Sequence, residues 1–177
     1  MECPSCSHEN IEGADQCAQC HADMSCLDEL GEGSDIERDL LRRPLGDLLA
    51  QDYIVVAPDC SVRETIQRWR DGTHHCAIVV EQDAIVGIFT ERDVLTKLAA
   101  DFDRHGDDPV SVHMTPDPVT LETQTPIAYG LNRMMTGGYR HIPLVSDGKL
   151  CGIVSVRQIL EYLAERCGDV IGAATPA

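Results

Sequence analysis

The sequence contains one stretch twice, and this repetition constrains the fold more than any other feature. Residues 87–93 (GIFTERD) return in softened form 65 positions later as residues 152–158 (GIVSVRQ). The same register extends without a gap, so that Pro44 aligns with Pro109 and Asp52 with Asp117. Because self-similarity at a fixed period marks a structural unit that is built more than once, we predict two copies of one unit.

Apolar character is kept at matched positions of this register, while polar identities drift. Two copies of one buried framework have this pattern when their surfaces have diverged. The matched apolar pairs are Ile54 with Val119, Val56 with Leu121, Val62 with Ile127, Ile66 with Leu131, Val79 with Leu144, Val80 with Val145, Val94 with Ile159, Leu95 with Leu160, and Leu98 with Leu163.

The apolar periodicity and turn residues of each copy predict the order strand, helix, strand, strand, helix. The chain is therefore expected to be an α/β protein. Ser61 and Thr125 are expected as helix N-caps, and Glu64 completes a capping box with Ser61. Glycines end these helices, at position 72 and at positions 137–138. The expected strands are residues 53–56, 76–80 and 85–89 in the first copy, and 118–121, 141–145 and 150–154 in the second.

Composition and charge narrow the class of protein. The chain has 43% hydrophobic and 25% charged residues, as in an ordinary soluble globular protein. Its net charge of −16 argues against a general binder of nucleic acids or acidic membranes, because such proteins need Lys and Arg against phosphates. We find no run of about 18 apolar residues and no signal-peptide pattern at the N-terminus. We therefore expect a cytoplasmic protein that does not contact membranes.

Four of the nine cysteines form two Cys-x-x-Cys pairs, Cys3 with Cys6 and Cys17 with Cys20. Four thiolates from two knuckles complete a tetrahedral zinc shell, and the zinc–sulfur bonds replace the core that so short a segment cannot build. The array resembles the short zinc ribbons found at the ends of many bacterial and archaeal proteins. Two redox pairs, two disulfides and a rubredoxin-like iron site are the alternatives.

A shell of four thiolates has no open coordination position, so the expected role of the metal is structural. The ribbon would then serve as a docking element for a protein partner that the sequence does not identify. The other cysteines are scattered, as reduced thiols are; they are Cys26, Cys60, Cys76, Cys151 and Cys167.

These features divide the chain into five segments. The acidic, glycine-rich stretch after the ribbon is typical of a solvated linker, and a short amphipathic helix that packs on the repeats is expected behind it. The predicted segments are the zinc ribbon (1–24), the linker and helix (25–43), the first repeat (44–107), the second repeat (108–168) and a C-terminal tail (169–177).

The Gly-x-x-Thr/Ser-x-x-Asp pattern of residues 87–93, repeated after a matched strand–turn–strand, carries a family resemblance. Over residues 44–165, each unit resembles a cystathionine β-synthase (CBS) domain, and the tandem resembles a CBS pair, also called a Bateman module. The resemblance implies two repeats packed with pseudo-two-fold symmetry, two clefts between them that bind adenosine-containing ligands, and a homodimer.

The resemblance also implies which residues hold an adenine nucleotide. Thr90 and Asp93 would contact its ribose and phosphate, since a carboxylate accepts two hydrogen bonds from a vicinal diol. Arg140, His141 and Arg157 of the second repeat would meet the phosphate. On so acidic a chain, positive groups that converge on one cleft are informative.

The second cleft departs from the family pattern. Ser155 keeps the hydroxyl of the motif, but Gln158 replaces the aspartate and lacks the charge that strengthens its hydrogen bonds. His74 and His75 of the first repeat would line the mouth of this cleft. We expect weaker binding there, a different ligand, or none.

Structural interpretations of the same residues stay open. Thr90 and Asp93 are also typical of a helix N-terminal cap, and Arg157 has the spacing to pair with Glu161. His113, like His74 and His75, is more typical of a surface or structural histidine than of a metal ligand.

No catalytic constellation is present in the sequence, which has neither a nucleophile elbow nor a phosphate-binding glycine loop. The leading hypothesis is a non-enzymatic regulatory sensor that binds AMP, ADP, ATP or a related adenosine compound. The alternatives are an interaction adapter with empty clefts, a nucleic-acid-binding regulator that uses the ribbon, and a redox switch.

Overall fold

The computed structural model describes residues 1–173 except 2, 4, 5, 7, 12, 25–34, 73 and 75, with side chains through residue 167. Its helices are α1 (Asp35–Arg42), α2 (Val62–Arg70), α3 (Glu91–Asp93, continued as a π-helical turn over Val94–Leu98), α4 (Phe102–His105), α5 (Val110–His113), α6 (Ile127–Gly137) and α7 (Val156–Ala173). Its strands are β1 (Tyr53–Val56), β2 (Cys76–Glu81), β3 (Ala84–Thr90), β4 (Thr115–Pro116), β5 (Leu121–Glu122), β6 (His141–Ser146) and β7 (Lys149–Ser155).

The strands form two sheets of matching topology. In the first sheet β1 pairs parallel with β2, and β3 pairs antiparallel with both β2 and β4. In the second sheet β5 pairs parallel with β6, and β6 pairs antiparallel with β7. The predicted order of strand, helix, strand, strand, helix is therefore confirmed in both repeats.

Local sequence explains where these elements begin and end. Ser61 caps α2, because its hydroxyl accepts a hydrogen bond from Glu64 N at 3.1 Å. Gly138 ends α6 in the left-handed region, with φ of 67°, where a residue with a Cβ is strained.

Two boundaries in the second repeat differ from the prediction. The N-cap of α6 is Pro126 rather than Thr125, because the helix begins only at Ile127. Strand β5 starts at Leu121 rather than at residue 118. Pro118 has no N–H to donate to a neighbouring strand, which explains the late start of this strand.

Each repeat has its own hydrophobic core, but the two cores exchange their leading segments. Leu45, which precedes β1, is fully buried in the core of the second repeat beside Leu121, Tyr129 and Ile142. Its register equivalent Val110 is fully buried in the core of the first repeat. The segment that opens each repeat thus completes the core of the other repeat.

The backbone shows the same exchange. Thr115 pairs with Ile88 in the first sheet, and its register equivalent Ala50 pairs with Ile153 of the second repeat. Two backbone hydrogen bonds of 2.9 and 3.2 Å join Ala50 to Ile153. Because the two exchanges are related by the same 65-residue register, the expected pseudo-two-fold packing is confirmed.

Helix α1 packs on the second repeat, as the sequence predicts. Asp39 of α1 accepts a hydrogen bond from the hydroxyl of Tyr162 in α7, and Arg166 lies 3.4 Å from the same carboxylate. The hydrogen bond from Tyr162 lowers the pKa of Asp39, because it stabilises the ionised form. The acidic linker expected before α1 lies outside the described residues over positions 25–34.

Helix α7 runs through Ala173, beyond the expected end of the second repeat, and residues 174–177 lie outside the described part. Among the described helices, none has the length and apolarity needed to cross a membrane.

Candidate functional site

A cavity of about 450 Å³ lies between the two repeats. One wall is the end of β3 and the start of α3, which carry Thr90 and Asp93. The opposite wall is the turn after α6, which carries Arg140, and the first residue of β6, which is His141. The remaining lining residues are Ile88, Glu91, Arg92, Thr96, Lys97, Thr115, Gly137, Gly138 and Tyr139.

Asp93 is held firmly, with 7% of its surface exposed. Its Oδ2 accepts hydrogen bonds from Thr90 N at 2.9 Å and from Thr90 Oγ1 at 2.8 Å. Its Oδ1 lies 2.8 Å from Lys97 Nζ and accepts a hydrogen bond from Thr115 Oγ1 at 3.2 Å. Capping of α3 therefore uses one carboxylate oxygen, and the other oxygen meets residues of the cavity.

The opposite wall supplies positive charge. Arg140 is exposed and has no carboxylate partner within the described part of the chain. Its carbonyl oxygen accepts a hydrogen bond from Val156 N at 2.9 Å, which ties the start of β6 to the start of α7. Arg92 reaches across the cavity and donates to Gly138 O at 2.6 Å.

Sequence reasoning missed Arg92, Lys97 and Thr115 as lining residues. Lys97 was detectable, since it follows Asp93 by four residues, the spacing of a helical ion pair. Thr115 was not detectable, because it reaches Asp93 only through the exchange of leading segments between the repeats.

The N-terminal segment brings its four cysteines together. The sulfur atoms of Cys3, Cys6, Cys17 and Cys20 all lie within 4.8 Å of one another. The sulfurs of Cys3 and Cys20 are 3.7 Å apart, and those of Cys6 and Cys17 are 3.6 Å apart. Four sulfurs that converge from two knuckles have the arrangement of a tetrahedral four-thiolate metal site.

The electrostatics of Cys17 suit a metal ligand. Burial raises the pKa of its thiol, but hydrogen bonds from the backbone N–H groups of Cys20 and Gln19 and from the Asn10 side chain outweigh burial, and the pKa falls to about 6. A low pKa leaves this sulfur as thiolate, the form that binds metals, whereas burial raises the pKa of the neighbouring Cys20 thiol to about 12. Four thiolates at contact distance repel one another, so a cation between them is needed for all four to ionise.

The family is identified by a sequence comparison that covers most of both repeats. A family model described as the CBS domain matches residues 45–100 and again residues 110–165. The chain belongs to the CBS-domain family. An uncharacterised 17.7 kDa protein of Acidianus ambivalens is 34% identical over 113 residues, which are 63% of this chain and 67% of that protein.

The fold of this chain is shared by solved structures of CBS-domain proteins. The crystal structure of a CBS-domain containing protein from Agrobacterium tumefaciens is 27% identical, with a TM-score of 0.63, over 68% of this chain and 99% of that one. A CBS domain protein from Pyrobaculum aerophilum, solved in complex with AMP, is 22% identical, with a TM-score of 0.59, over 70% of this chain and 99% of that one. At that identity, the second similarity concerns the fold alone.

The remaining predicted residues of the CBS pair lie outside this cavity. Ser155 N donates to Gln158 Oε1 at 2.6 Å, so the second motif caps α7 much as the first caps α3. Arg157 is 75% exposed and lies 2.8 Å from Glu161, which is the structural pairing that the sequence left open. Neither Ser155 nor Arg157 is among the residues that line the cavity.

His74 lies on the far side of α3, in a second cavity of about 520 Å³ that Trp69 and Leu95 also line. His75 lies outside the described residues. Among the described residues that line this second cavity, none belongs to the second motif (residues 152–158).

Proposed function

We propose that this chain is a non-enzymatic regulatory protein that binds an adenine nucleotide in the cavity between its CBS repeats. One observation carries the proposal: Thr90 and Asp93 of the first repeat face Arg140 and His141 of the second across a cavity of about 450 Å³. The ribose diol of a nucleotide suits the wall with Thr90 and Asp93, and its phosphate suits the wall with Arg140 and His141. A ligand that touches both repeats would favour one relative arrangement of them.

Charge supports an anionic ligand. Although the whole chain carries −16, the cavity is lined by three cations, Arg92, Lys97 and Arg140, against the two carboxylates of Glu91 and Asp93. A local cluster of cations within an acidic protein attracts phosphate and directs it to this place. Arg140 is the best placed for a charge-assisted hydrogen bond, since no described carboxylate competes for it.

The hydrogen bonds of Asp93 indicate what a ribose would displace. A carboxylate has about four lone-pair sites, and Thr90, Lys97 and Thr115 already occupy them. The contact from Thr115 Oγ1, at 3.2 Å, is the longest of the four. A ribose hydroxyl would therefore replace Thr115 first, while the capping bonds to Oδ2 persist.

AMP is the first ligand to test, because a CBS pair of the same fold was solved with it. At about 100 times its dissociation constant, AMP should stabilise the wild-type protein by about 2.7 kcal/mol, which raises the melting midpoint by roughly 5–10 °C. Asp93→Asn keeps an oxygen that caps α3 but removes the charge, and should lose most of this increase. Thermal unfolding with AMP, ADP, ATP and S-adenosylmethionine measures the effect.

Gln158→Ala is the matched control for Asp93→Asn, since the two positions are equivalent in the repeat and Gln158 lies outside this cavity. Each midpoint is compared with that of the same variant without ligand, so a loss of stability is not mistaken for a loss of binding. If no compound raises the wild-type midpoint, or if Asp93→Asn responds as fully as wild type, the nucleotide proposal fails. An adapter with empty clefts would then be favoured.

Arg140 should distinguish AMP from adenosine. A hydrogen bond to a charged group contributes about 1.5–3 kcal/mol, so Arg140→Gln should weaken AMP binding by roughly 10- to 100-fold and leave adenosine binding nearly unchanged. Isothermal titration calorimetry measures both affinities.

Arg157→Gln is the comparison variant for Arg140→Gln. The resemblance to CBS pairs assigns phosphate binding to Arg157, whereas its contact with Glu161 directs it elsewhere. We expect wild-type AMP affinity in Arg157→Gln. If Arg157→Gln lost as much AMP affinity as Arg140→Gln, Arg157 would belong to the phosphate site after all.

The proposal includes a structural zinc ion at the four N-terminal cysteines, with iron as the alternative metal. The support is the convergence of the four sulfurs, which lie within 4.8 Å of one another. A closed four-thiolate shell favours a structural role, so we propose that the ribbon serves as a contact surface for a protein partner.

Absence of enzymatic activity is also part of the proposal. Burial raises the pKa of the Cys76 thiol to about 12, so this buried cysteine stays a protonated thiol rather than a nucleophilic thiolate.

A cytoplasmic homodimer completes the proposal. Leu95 and Leu160 occupy equivalent positions on α3 and α7 and are 72% and 56% exposed. Exposed apolar residues related by the internal symmetry are consistent with a surface that meets a second copy.

A further inference from the structure

A second group of metal-binding side chains lies in the connection between the two repeats. His105 ends α4, Asp108 lies in the turn that follows, and His113 ends α5. His105 Nδ1 is 2.8 Å and His113 Nε2 is 2.9 Å from the same oxygen, Asp108 Oδ2. One ligand atom from each of the three side chains lies within 4.8 Å of the others. The three donors therefore converge on one point.

The donor set selects a class of metal. Two imidazole nitrogens and one carboxylate oxygen suit late first-row divalent cations such as Zn²⁺, whereas Mg²⁺ and Ca²⁺ prefer oxygen alone. Zinc bonds of about 2.0–2.1 Å place neighbouring ligands of a tetrahedral site about 3.3 Å apart. The two nitrogen-to-oxygen separations of 2.8 and 2.9 Å need to open by about half an ångström. The two imidazole nitrogens lie within 4.8 Å of each other and need to reach the same spacing.

The backbone holds these residues against the first repeat. Arg63 N donates to Gly106 O at 2.7 Å, Val62 N donates to Asp108 O at 3.0 Å, and Val110 N donates to Cys60 O at 2.7 Å. These bonds fix the backbone between His105 and His113, so the three ligands are positioned before any metal arrives. Preorganised ligands lower the conformational cost of binding.

The surroundings favour a cation that enters from solvent. The side chains of His105 and Asp108 are 34% and 37% exposed, and that of His113 is 12% exposed. Both imidazole nitrogens contact Asp108 Oδ2, so this oxygen is the carboxylate ligand, and Oδ1 has no hydrogen-bond partner within the described part of the chain. In the same connection Asp107 pairs with Arg63 and Asp101 lies 3.9 Å from Arg104, while Asp103 adds a further negative charge.

We propose that His105, Asp108 and His113 bind one divalent transition-metal ion of the zinc class, separately from the four N-terminal cysteines. Three protein ligands leave a coordination position for water, as in exchangeable zinc sites. The site does not depend on nucleotide binding, and its test needs no nucleotide.

The test uses the full chain with zinc already bound at the cysteines. Isothermal titration with Zn²⁺ should detect one further equivalent in the wild-type protein. Asp108→Asn removes the carboxylate and should weaken this equivalent by at least about tenfold, since even partners of ligands contribute 10- to 100-fold to affinity. Asp107→Asn is the matched control: it removes the same charge one residue away, where the carboxylate pairs with Arg63, and should bind like wild type.

His105→Gln separates a loss of metal binding from a loss of folding. The glutamine amide has an N–H that can replace the imidazole as a donor to Asp108, and position 105 is partly exposed, so the change should cost little stability. This variant should melt like wild type and still lose the further equivalent. Titration with Co²⁺ adds a spectroscopic readout: imidazole and carboxylate ligands give no thiolate charge-transfer band.

Any one of three results would overturn the proposal. The first is that the wild-type protein binds no further zinc, and the second is that Asp108→Asn and His105→Gln bind the further zinc as wild type does. The third is that the further equivalent of Co²⁺ develops a thiolate charge-transfer band.

Discussion

Replacing Cys17 with serine is expected to remove one equivalent of metal and to unfold residues 1–24 while the CBS pair stays folded. Structural zinc in zinc-finger peptides binds with about 10–16 kcal/mol at pH 7, and this free energy is folding free energy. The small cluster of Cys3, Cys17, Ala22 and Met24 cannot replace it. Metal analysis of purified protein and hydrogen exchange of the N-terminal amides measure the two effects.

Cys151→Ser is the control for this prediction, because Cys151 lies outside the four-cysteine cluster. It should keep the metal content and the N-terminal protection of wild type. A Cys17→Ser protein with an unchanged metal content would contradict a four-thiolate site. If metal analysis found iron instead of zinc in the wild-type protein, the four cysteine ligands would stand and only the identity of the metal would change.

Replacing Leu45 with alanine should destabilise the protein by about 2–5 kcal/mol, the usual cost of such a change in a core. The side chain is fully buried, and it packs in the core of the second repeat rather than of the first. The exchange of leading segments therefore predicts where the loss appears. Urea denaturation measures its size, and native-state hydrogen exchange measures its location.

Val110→Ala provides the mirror experiment, because Val110 is buried in the core of the first repeat. Leu45→Ala should increase local opening of β5–β7, and Val110→Ala should increase opening of β1–β3. Val112 lies in the same leading segment but is 65% exposed, so Val112→Ala should change stability by less than about 0.5 kcal/mol. If Leu45→Ala increased hydrogen exchange in the first sheet instead, the assignment of Leu45 to the core of the second repeat would be wrong.

Much of the fold was predictable from the repeat. Apolar periodicity is a local property of the chain, and it located β1 at Tyr53–Val56 and β2, β3, β6 and β7 to within one residue at each end. The weakest prediction concerned β5, which begins at Leu121 rather than at Pro118, a residue without an N–H for strand pairing.

The candidate site was only partly predictable. Thr90 and Asp93 come from a motif, and Arg140 and His141 from the start of a buried strand, and all four line one cavity. Arg157 has the same register position as Arg92, yet it lies with Glu161 on a different surface. A sequence motif identifies chemical groups, but it does not state which of two equivalent clefts each group enters.

The sequence by itself determined that one α/β unit is built twice and that four cysteines have metal-ligand spacing, because both follow from local periodicity and short spacings. Only the tertiary structure decided that the leading segments are exchanged, so that Leu45 and Val110 fill each other's cores. It also brought Thr115 to Asp93 through the exchange of leading segments. These contacts depend on how the two repeats pack, and the packing of a whole core is not encoded in any one segment.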